Sequence, residues 1–471
     1  MQKNLRLYSQ AVVFLAAVLL LQTNAPAQKA KIALIDNFAA AKHKFHKFNG
    51  SVLVAEKGRI IYKKSFGYAD FKNKKPLTGA SVFNIASISK QFTAAAVMLS
   101  VERGLLRLDD SLSKYFPEIP YEGITVKQML THTSGLPEQN EFMFKYWNTD
   151  NPITNRDMVE YLIKYKPEAA FKPGESFKYC NTNYALLAMI VEKVNGQKFQ
   201  DFVTKNIFEP LEMRQTRFLD PTAGNYKTIP NQTENYIADT EGKEYLLPQD
   251  IPEYKNAVAL TGLVGAGNIH STATDLLKWQ ESLKTAKILK RESIDEMASP
   301  QVKANVDNSD AYGYGLAIKA IYGDTRVYHY GGTLGFWNSL QHFKNADRTV
   351  IVLTNNESEK GLTNAIAAIL FDQPVALPSA HREIKLSTGE LNKFVGTYEL
   401  NGNFAFAVEN RNGKLYRVTK SGEPKELKPE SKTKLFYADT DRQIELVFDK
   451  QAVKQVFFIA EGIKLELKKA K

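Results

Sequence analysis

The spacing of hydrophobic positions divides the first part of the chain into helical and strand-like segments. Residues 32–48 carry apolar side chains at helical spacing, whereas residues 50–55 and 59–63 are two β-rich runs joined by Glu56-Lys57-Gly58, which predicts a hairpin. Residues 93–105 are mostly apolar but too short to cross a bilayer, so they predict a helix buried inside a domain. A helix packed on antiparallel strands indicates an α+β layer architecture.

Strands dominate the second half of the chain. Successive β-rich runs with glycine turns predict an antiparallel sheet between Tyr312 and Asn355, followed by a helix over residues 361–371. From about Asn392 the pattern consists of short strands alone, and Asn412-Gly413 is the strongest hairpin signal among them. We therefore expect an α+β fold in which an antiparallel sheet is flanked by helices and a helical subdomain, followed by a small all-β, barrel-like C-terminal domain.

The first residues have the pattern of a secretory signal peptide. Lys3 and Arg6 precede the apolar run 11–21, and Ala25-Pro26-Ala27 is a small-residue cleavage site. Because the apolar run is short for a membrane span, we expect cleavage after Ala27, export to the periplasm or medium, and no stable membrane span, in preference to an uncleaved anchor. The predicted divisions are a signal peptide over 1–27, a main domain over 28–373, a linker over 374–391 and a β domain over 392–471.

Composition excludes several classes of protein. The 471 residues suggest two or three domains, and 44% hydrophobic with 24% charged residues is ordinary globular composition. The net charge of +11 is spread along the chain without a basic helix or zinc-finger spacing, which argues against nucleic-acid binding. The basic cluster Lys42–Lys47 contains two histidines but no nearby carboxylate or cysteine, so it predicts a solvated helix face and no metal site. Cys180, the single cysteine, excludes an internal disulfide.

Candidate chemistry begins at Ser87 and Lys90, which are three residues apart at the start of the apolar helix. At that spacing both side chains project from one helix face, close enough for an amine to hydrogen-bond a hydroxyl. Burial would lower the pKa of Lys90 and make the amine a usable base, and the helix start would favour developing negative charge. The pattern is also common by chance, because a serine cap followed by a solvated lysine produces it equally well.

Other polar segments have structural explanations that compete with functional ones. His132 and Ser134 lie where a helix ends, so closing that helix is favoured over a hydrolase dyad. The aromatic-containing loop 138–151 is either a lid over a cleft or a core plug, and the turn-rich segment 220–257 has the character of a cleft lining. Glycines at 262–267 lack the context of a dinucleotide site and predict close backbone approach instead.

Two further motifs complete the set of candidates. Tyr179-Cys180-Asn181 is a polar turn at a helix start, and capping alone would also explain it. His329-Tyr330-Gly331-Gly332 lies in a predicted strand, where glycines would let a substrate lie along the strand edge and meet a free N–H group.

Taken in order, Ser87-Ile88-Ser89-Lys90, Tyr179-Cys180-Asn181 and His329-Tyr330-Gly331 resemble the motifs of the serine β-lactamase and penicillin-binding-protein superfamily. The likeness is to its class C-like branch, which includes D-Ala-D-Ala carboxypeptidases, D-aminopeptidases and esterases. It runs from about Phe48 to Leu370.

The resemblance implies a role for each matching residue. In the catalytic group, Ser87 would be the acylated nucleophile, Lys90 its buried amine partner, and Tyr179 the shuttle that passes the proton to the leaving group. Asn181 would orient the substrate amide, and the N–H groups of Ser87 and Gly332 would form the oxyanion hole. The substrate-binding strand would contain His329, Gly331 and Gly332. No metal or cofactor is implied.

The resemblance implies a serine hydrolase that acts on an amide or ester of a small molecule or peptide, with cell-wall peptides among the candidates. His329 stands where β-lactamases carry a lysine, and histidine is mostly neutral near pH 7, so a peptidase or esterase is favoured over an efficient β-lactamase. The alternatives are a catalytically idle penicillin-recognising or peptidoglycan-binding protein and a hydrolase that uses Cys180, although a small space-filling role is favoured for that thiol. The oligomeric state and the role of the C-terminal domain are not indicated.

Overall fold

In a computed structural model of the protein, the described residues are 26–147, 152–219, 230–238, 245–254, 262–305, 309–356, 361–438, 440, 442–450 and 452–470. Most of the predicted signal peptide lies outside these residues, so its cleavage stays a prediction. None of the helices within these ranges is long and apolar enough to cross a membrane. The chain divides into two compact units, Met1–Phe45 with Lys360–Lys471 and His46–Glu359, and the domain boundaries expected from the sequence stay a prediction.

The unit His46–Glu359 contains an eight-stranded antiparallel sheet. Its strands in chain order are β1 (Gly50–Glu56), β2 (Arg59–Phe66), β3 (Tyr68–Asp70), β4 (Lys75–Pro76), β5 (Phe83–Asn84), β6 (Arg217–Phe218), β7 (Ile237–Ala238), β8 (Tyr245–Leu246), β9 (Ile269–Ser271), β10 (Val302–Lys303), β11 (Ala311–Tyr312), β12 (Ala317–Ile321), β13 (Asp324–Thr333), β14 (Phe336–Phe343) and β15 (Arg348–Thr354). The main sheet has the order β10-β11-β12-β13-β14-β15-β1-β2, and a small sheet has the order β5-β9-β6. Lys57 and Gly58 both have positive φ between β1 and β2, as the predicted hairpin requires.

The helices between residues 46 and 359 supply the helical part of the α+β fold, and the remaining helices belong to the unit that contains residues 360–471. The described helices are α1 (26–44), α2 (Ser89–Glu102), α3 (Leu112–Tyr115), α4 (Val126–Leu130), α5 (Gln139–Tyr146), α6 (Asn155–Tyr165), α7 (Asn181–Asn195), α8 (Phe199–Val203), α9 (Ala273–Thr285), α10 (Arg291–Met297), α11 (Leu362–Leu370) and α12 (Thr388–Asn392). Helix α2 is buried from Ser89 through Ser100 and packs on α7, which confirms the buried helix expected from its apolar sequence. Helix α9 packs on β1 and β15.

The unit that contains residues 360–471 is dominated by a closed antiparallel barrel, which confirms the small all-β C-terminal domain. Its strands are β16 (Gly396–Leu400), β17 (Asn403–Arg411), β18 (Lys414–Val418), β19 (Lys425–Ser431), β20 (Lys434–Tyr437), β21 (Gln443–Asp449), β22 (Ala452–Ala460) and β23 (Ile463–Lys469). Side chains that include Tyr398, Leu435 and Ile444 fill its interior. Asn412 and Gly413 have the positive φ values of the predicted hairpin turn.

The segments expected to be irregular are partly structured. Residues 139–146 form helix α5, where a loop was expected. Phe142 and Met143 of this helix are buried in the core of the unit His46–Glu359. Phe142 therefore fills the core rather than forming a lid. Residues 148–151 lie outside the described part of the chain, as does much of the segment 220–257, in which the short strands β7 and β8 pair.

Candidate active site

Ser87 lies in a tight turn between β5 and α2. The turn spans Ala86–Ile88, and Ala86 has a φ of 46°, a left-handed conformation that is costly for a residue with a Cβ atom. Hydrogen bonds hold this conformation: Ala86 N–H donates to Asn84 Oδ1 (2.9 Å), and Ile85 N–H donates to the carbonyl of Ile269 in β9 (2.9 Å). The half-buried Ser87 hydroxyl is therefore presented by a strained turn that the surrounding strands fix in place.

Lys90 lies one helical turn later and is fully buried. Its Nζ is 3.0 Å from Ser87 Oγ, 2.8 Å from Asn181 Oδ1 and 2.9 Å from the carbonyl oxygen of Ala266. Burial lowers the pKa of Lys90 to about 7, against the opposing charge of Glu138, so a large fraction of the amine is neutral near pH 7. A neutral amine has two N–H donors and one lone pair. With those donors on Asn181 and Ala266, the lone pair faces the Ser87 hydroxyl.

Tyr179 lies directly beside this amine. Its ring centroid is 4.9 Å from Lys90 Nζ, and the ring packs over that of His132 with centroids 4.4 Å apart. The structure therefore brings together the hydroxyl, the amine and the phenol that the sequence motifs singled out, from segments far apart in the chain. Asn181, which begins α7, completes the group through its contact with Lys90.

His132 and Ser134 support the Tyr179 turn and do not form a dyad. Nδ1 of the buried His132 ring accepts a hydrogen bond from the N–H of Cys180 (3.1 Å). The backbone carbonyl of His132 accepts one from the N–H of Lys178 (3.1 Å). Ser134 Oγ donates to Asn183 Oδ1 at 2.6 Å. Burial holds the pKa of His132 well below its usual range, so the ring is neutral. These contacts agree with the structural role favoured for both residues.

His329 on β13 is buried, and both of its ring nitrogens contact protein groups. Nδ1 is 2.5 Å from the carbonyl oxygen of Tyr330, which requires a hydrogen on Nδ1. Nε2 is 3.0 Å from the hydroxyl of Tyr312 and accepts its hydrogen bond. Burial lowers the pKa of His329 to about 3, so the ring carries no charge at neutral pH. The residue expected at the substrate thus has protein partners at both nitrogens, and its role in binding substrate stays a prediction.

Gly331 brings β13 against the nucleophile turn. Pairing of β12 with β13 ends at Tyr328, so the strand continues beyond that partner toward Ser87. A Cβ atom on Gly331 would lie 2.1 Å from the carbonyl oxygen of Ile85 and 3.2 Å from the backbone nitrogen of Ser87. Only glycine permits this approach. Gly332 is exposed, and the oxyanion hole expected from the N–H groups of Ser87 and Gly332 stays a prediction.

The Cys180 thiol packs against the backbone carbonyl groups of Leu136 and Pro137. It is 3% exposed, its Sγ lies 3.4 Å from the carbonyl oxygen of Leu136, and burial raises the pKa of the thiol to about 12. A protonated, enclosed thiol is a poor nucleophile, which agrees with the favoured space-filling role.

Sequence reasoning missed three groups at the site: the Glu138 carboxylate, the Ala266 carbonyl and the Tyr312 hydroxyl. Glu138 was treated as the first residue of a loop, yet it accepts two hydrogen bonds from Asn181. No local pattern identifies such partners, because each reaches the site only through the fold. Within the described ranges, no group of three or more His, Cys, Asp or Glu residues is arranged to hold a metal ion.

Comparisons with known proteins show which family the chain resembles in sequence and fold. The family model described as Beta-lactamase matches residues 35–372. Penicillin-binding protein 4* of Bacillus subtilis (strain 168) is 32% identical over 434 residues, which cover 90% of this chain and 96% of that protein. The octameric penicillin-binding protein homologue from Pyrococcus abyssi is 26% identical with a TM-score of 0.65, covering 93% of this chain and 100% of that chain.

A second solved structure, the penicillin-binding protein from Bacillus halodurans, is 25% identical with a TM-score of 0.60 and covers 70% of this chain and 97% of that one. D-amino acid amidase from Ochrobactrum anthropi SV3, at 24% identity and a TM-score of 0.59 over 74% of this chain and 97% of that one, shares the fold. The family match spans well over half of the chain and includes the three motifs that contain Ser87, Tyr179 and His329. The protein therefore belongs to the Beta-lactamase family, within the serine β-lactamase and penicillin-binding-protein superfamily.

Proposed function

We propose that the protein is an exported serine hydrolase that cleaves an amide or ester through an acyl-enzyme on Ser87. The observation that carries the proposal is the buried Lys90 amine, 3.0 Å from Ser87 Oγ, with its other two contacts on the oxygens of Asn181 and Ala266. An amine held in this way is oriented to accept the hydroxyl proton. Export is supported by the signal-peptide pattern of residues 1–27.

The reaction has two stages. Ser87 Oγ attacks the carbonyl carbon while its proton passes to Lys90 Nζ, and the carbonyl oxygen becomes an oxyanion held by the N–H groups of Ser87 and Gly332. The C–N or C–O bond then breaks, the leaving group takes a proton delivered through Tyr179 from Lys90, and the acyl group remains on Ser87. In the second stage water attacks the acyl carbon by the same route, which releases the acid and restores the serine hydroxyl.

The uncharged imidazole ring of His329 affects which substrates the site would favour. The lysine of β-lactamases supplies a permanent charge for the substrate carboxylate, and a neutral imidazole with both nitrogens occupied supplies none. A D-amino-acid peptide or an ester is therefore favoured over rapid turnover of β-lactams. Penicillins remain useful acylating probes, because the similar Bacillus subtilis protein is named as a penicillin-binding protein.

Acylation tests the proposal. The protein is treated with a fluorophosphonate and separately with a penicillin, and intact mass spectrometry with peptide mapping should find one adduct on Ser87 that Ser87→Ala lacks. No adduct with any of several acylating probes would overturn the proposal and favour the idle binding protein. An adduct on Cys180, with activity that survives Ser87→Ala, would establish the cysteine alternative.

Turnover separates a hydrolase from a protein that is only acylated. A short-chain nitrophenyl ester, a D-amino-acid peptide and a chromogenic cephalosporin are compared at equal concentrations. We expect steady-state release of product from the ester or the peptide and slow release from the cephalosporin. A stoichiometric burst without further turnover on all three would favour the idle penicillin-recognising protein.

A further inference from the structure

Glu138 connects two helix starts at the edge of the site. It is the N-cap of α5, where Oε1 accepts the N–H of Asn140 at 3.2 Å. The same oxygen accepts Nδ2 of Asn181 at 3.0 Å, and Oε2 accepts the backbone N–H of Asn181 at 2.6 Å. An ionised carboxylate only accepts hydrogen bonds, so both oxygens are committed to donors, two of which belong to Asn181.

These contacts decide which end of the Asn181 amide faces Lys90. An amide side chain has donors on its nitrogen and acceptors on its oxygen. Because Nδ2 donates to Glu138, Oδ1 is turned toward Lys90 Nζ at 2.8 Å. Nothing else in the start of α7 performs this task, since Cys180 at its N-cap makes no side-chain capping bond and the first turn contains no acidic residue.

We propose that Glu138 is a positioning residue for acylation: it holds the Asn181 amide so that Oδ1 occupies one N–H of Lys90 and the amine lone pair stays directed at Ser87 Oγ. The inference rests on the proposed function, since it concerns how the base of that reaction is oriented. It is based on the two hydrogen bonds that Asn181 donates to the Glu138 carboxylate and on the contact between the other end of the same amide and Lys90.

The charge of Glu138 adds a second, separable effect. The titratable groups that face Lys90 are Glu138, Cys180, His132, His329 and the rings of Tyr179 and Tyr184. Burial keeps both histidines neutral and the Cys180 thiol protonated, and Glu138 supplies the largest opposing charge that acts on Lys90. Its charge raises the pKa of Lys90 against burial, so removing that charge lowers the pKa of the amine further.

Glu138→Gln tests both effects with little change in size. A glutamine has one oxygen and one NH₂ group, so one of the two Asn181 donors would meet another donor, and the Asn181 amide would lose its fixed orientation. We measure the second-order rate of Ser87 acylation by a fluorophosphonate between pH 5 and 10. The rate at the high-pH plateau should fall by about 10–100-fold, the usual effect of losing a group that orients a catalytic residue. The acid limb, expected near pH 7 in the parent, should move to lower pH.

Glu141→Gln is the matched control. Glu141 lies on the same helix, is 71% exposed, and has only a distant ion pair with Lys178 at 3.8 Å. Its variant should keep the parent plateau and the parent acid limb. Final adduct stoichiometry and thermal unfolding of each variant show whether slower acylation reflects a smaller folded fraction.

The outcomes are distinct. A lower plateau together with an acid limb shifted to lower pH, at full final stoichiometry, supports the inference. A Glu138→Gln variant with the parent plateau, or with a lower plateau but an unshifted acid limb, overturns it, because loss of a cap alone changes stability and not the titration of Lys90. If the parent itself forms no adduct on Ser87, the proposed function has failed instead.

Discussion

Replacing Gly331 with alanine should disable acylation by separating β13 from the nucleophile turn. The added Cβ would lie 2.1 Å from the Ile85 carbonyl oxygen and 3.2 Å from the Ser87 nitrogen, both of them backbone atoms that cannot rotate away. Carbon–oxygen contacts are favourable at about 3.3–3.6 Å, so the strand and the turn have to separate by roughly 1.2–1.5 Å. A displacement of that size in a catalytic group costs on the order of 100-fold in rate, and overpacking costs about 1–3 kcal/mol of stability.

The assay for Gly331→Ala is the second-order rate of acylation by a fluorophosphonate, with thermal unfolding measured in parallel. Gly267→Ala is the matched control, because a Cβ there would lie 4.0 Å from the backbone of Ala86, at ordinary contact distance from the same turn. The control should acylate at close to the parent rate. A Gly331→Ala variant that acylates within about twofold of the parent would refute the argument that this close approach positions Ser87.

Three further predictions concern the groups around Ser87. Lys90→Met removes the amine but keeps a side chain of similar length, so acylation measured with the same probe should fall by about 10²–10⁴-fold; a loss of less than about tenfold would show that the amine is dispensable. Cys180→Ala should acylate at the parent rate, and iodoacetamide should modify Cys180 only after unfolding, because the thiol is buried and burial raises its pKa to about 12; rapid alkylation of the native protein would contradict this. A chelator should leave acylation unchanged, since the described residues offer no metal-binding cluster; full inhibition would count against the mechanism.

Local signals predicted the elements whose determinants lie close together in the chain. Thr125 forms a capping box with Gln128 at the start of α4, a signal carried by two residues three apart in the chain. Asn412-Gly413 gave a hairpin, because adjacent residues that tolerate positive φ are enough to define that turn. The order of these elements, together with the three motifs, was sufficient to predict an α+β domain followed by a β domain.

Boundaries that depend on distant partners were less accurate. Tyr179-Cys180-Asn181 was expected to be a turn before a helix, but Asn181 is already the first residue of α7, and the acceptor for its N–H is Glu138, 43 residues earlier in the chain. Helix α5 was expected to be a loop because most of its residues are polar. Its two core side chains, Phe142 and Met143, are too few to give a helical pattern. In both cases a tertiary contact, absent from the local pattern, determines the structure.

The site shows the same division between residue type and environment. The side chains of Ser87 and Lys90 were recognisable as a nucleophile beside a base, and the resemblance to the superfamily added Tyr179. The Ala266 carbonyl that accepts from Lys90 is 176 residues away, and a backbone oxygen has no signature in a sequence. The hydrogen bond that Tyr312 gives to His329 could not be predicted from the sequence either, although it occupies one ring nitrogen of that histidine.

The central claim is that Lys90 is a largely neutral amine directed at the Ser87 hydroxyl. Its most direct test is a titration of isotope-labelled lysine side chains followed by nuclear magnetic resonance, with Lys90→Met to assign the signal. The account predicts one lysine that titrates near pH 7, far below the ordinary value of 10.5, because burial disfavours its charged form. A Lys90 signal that stays protonated up to pH 10 would contradict the account.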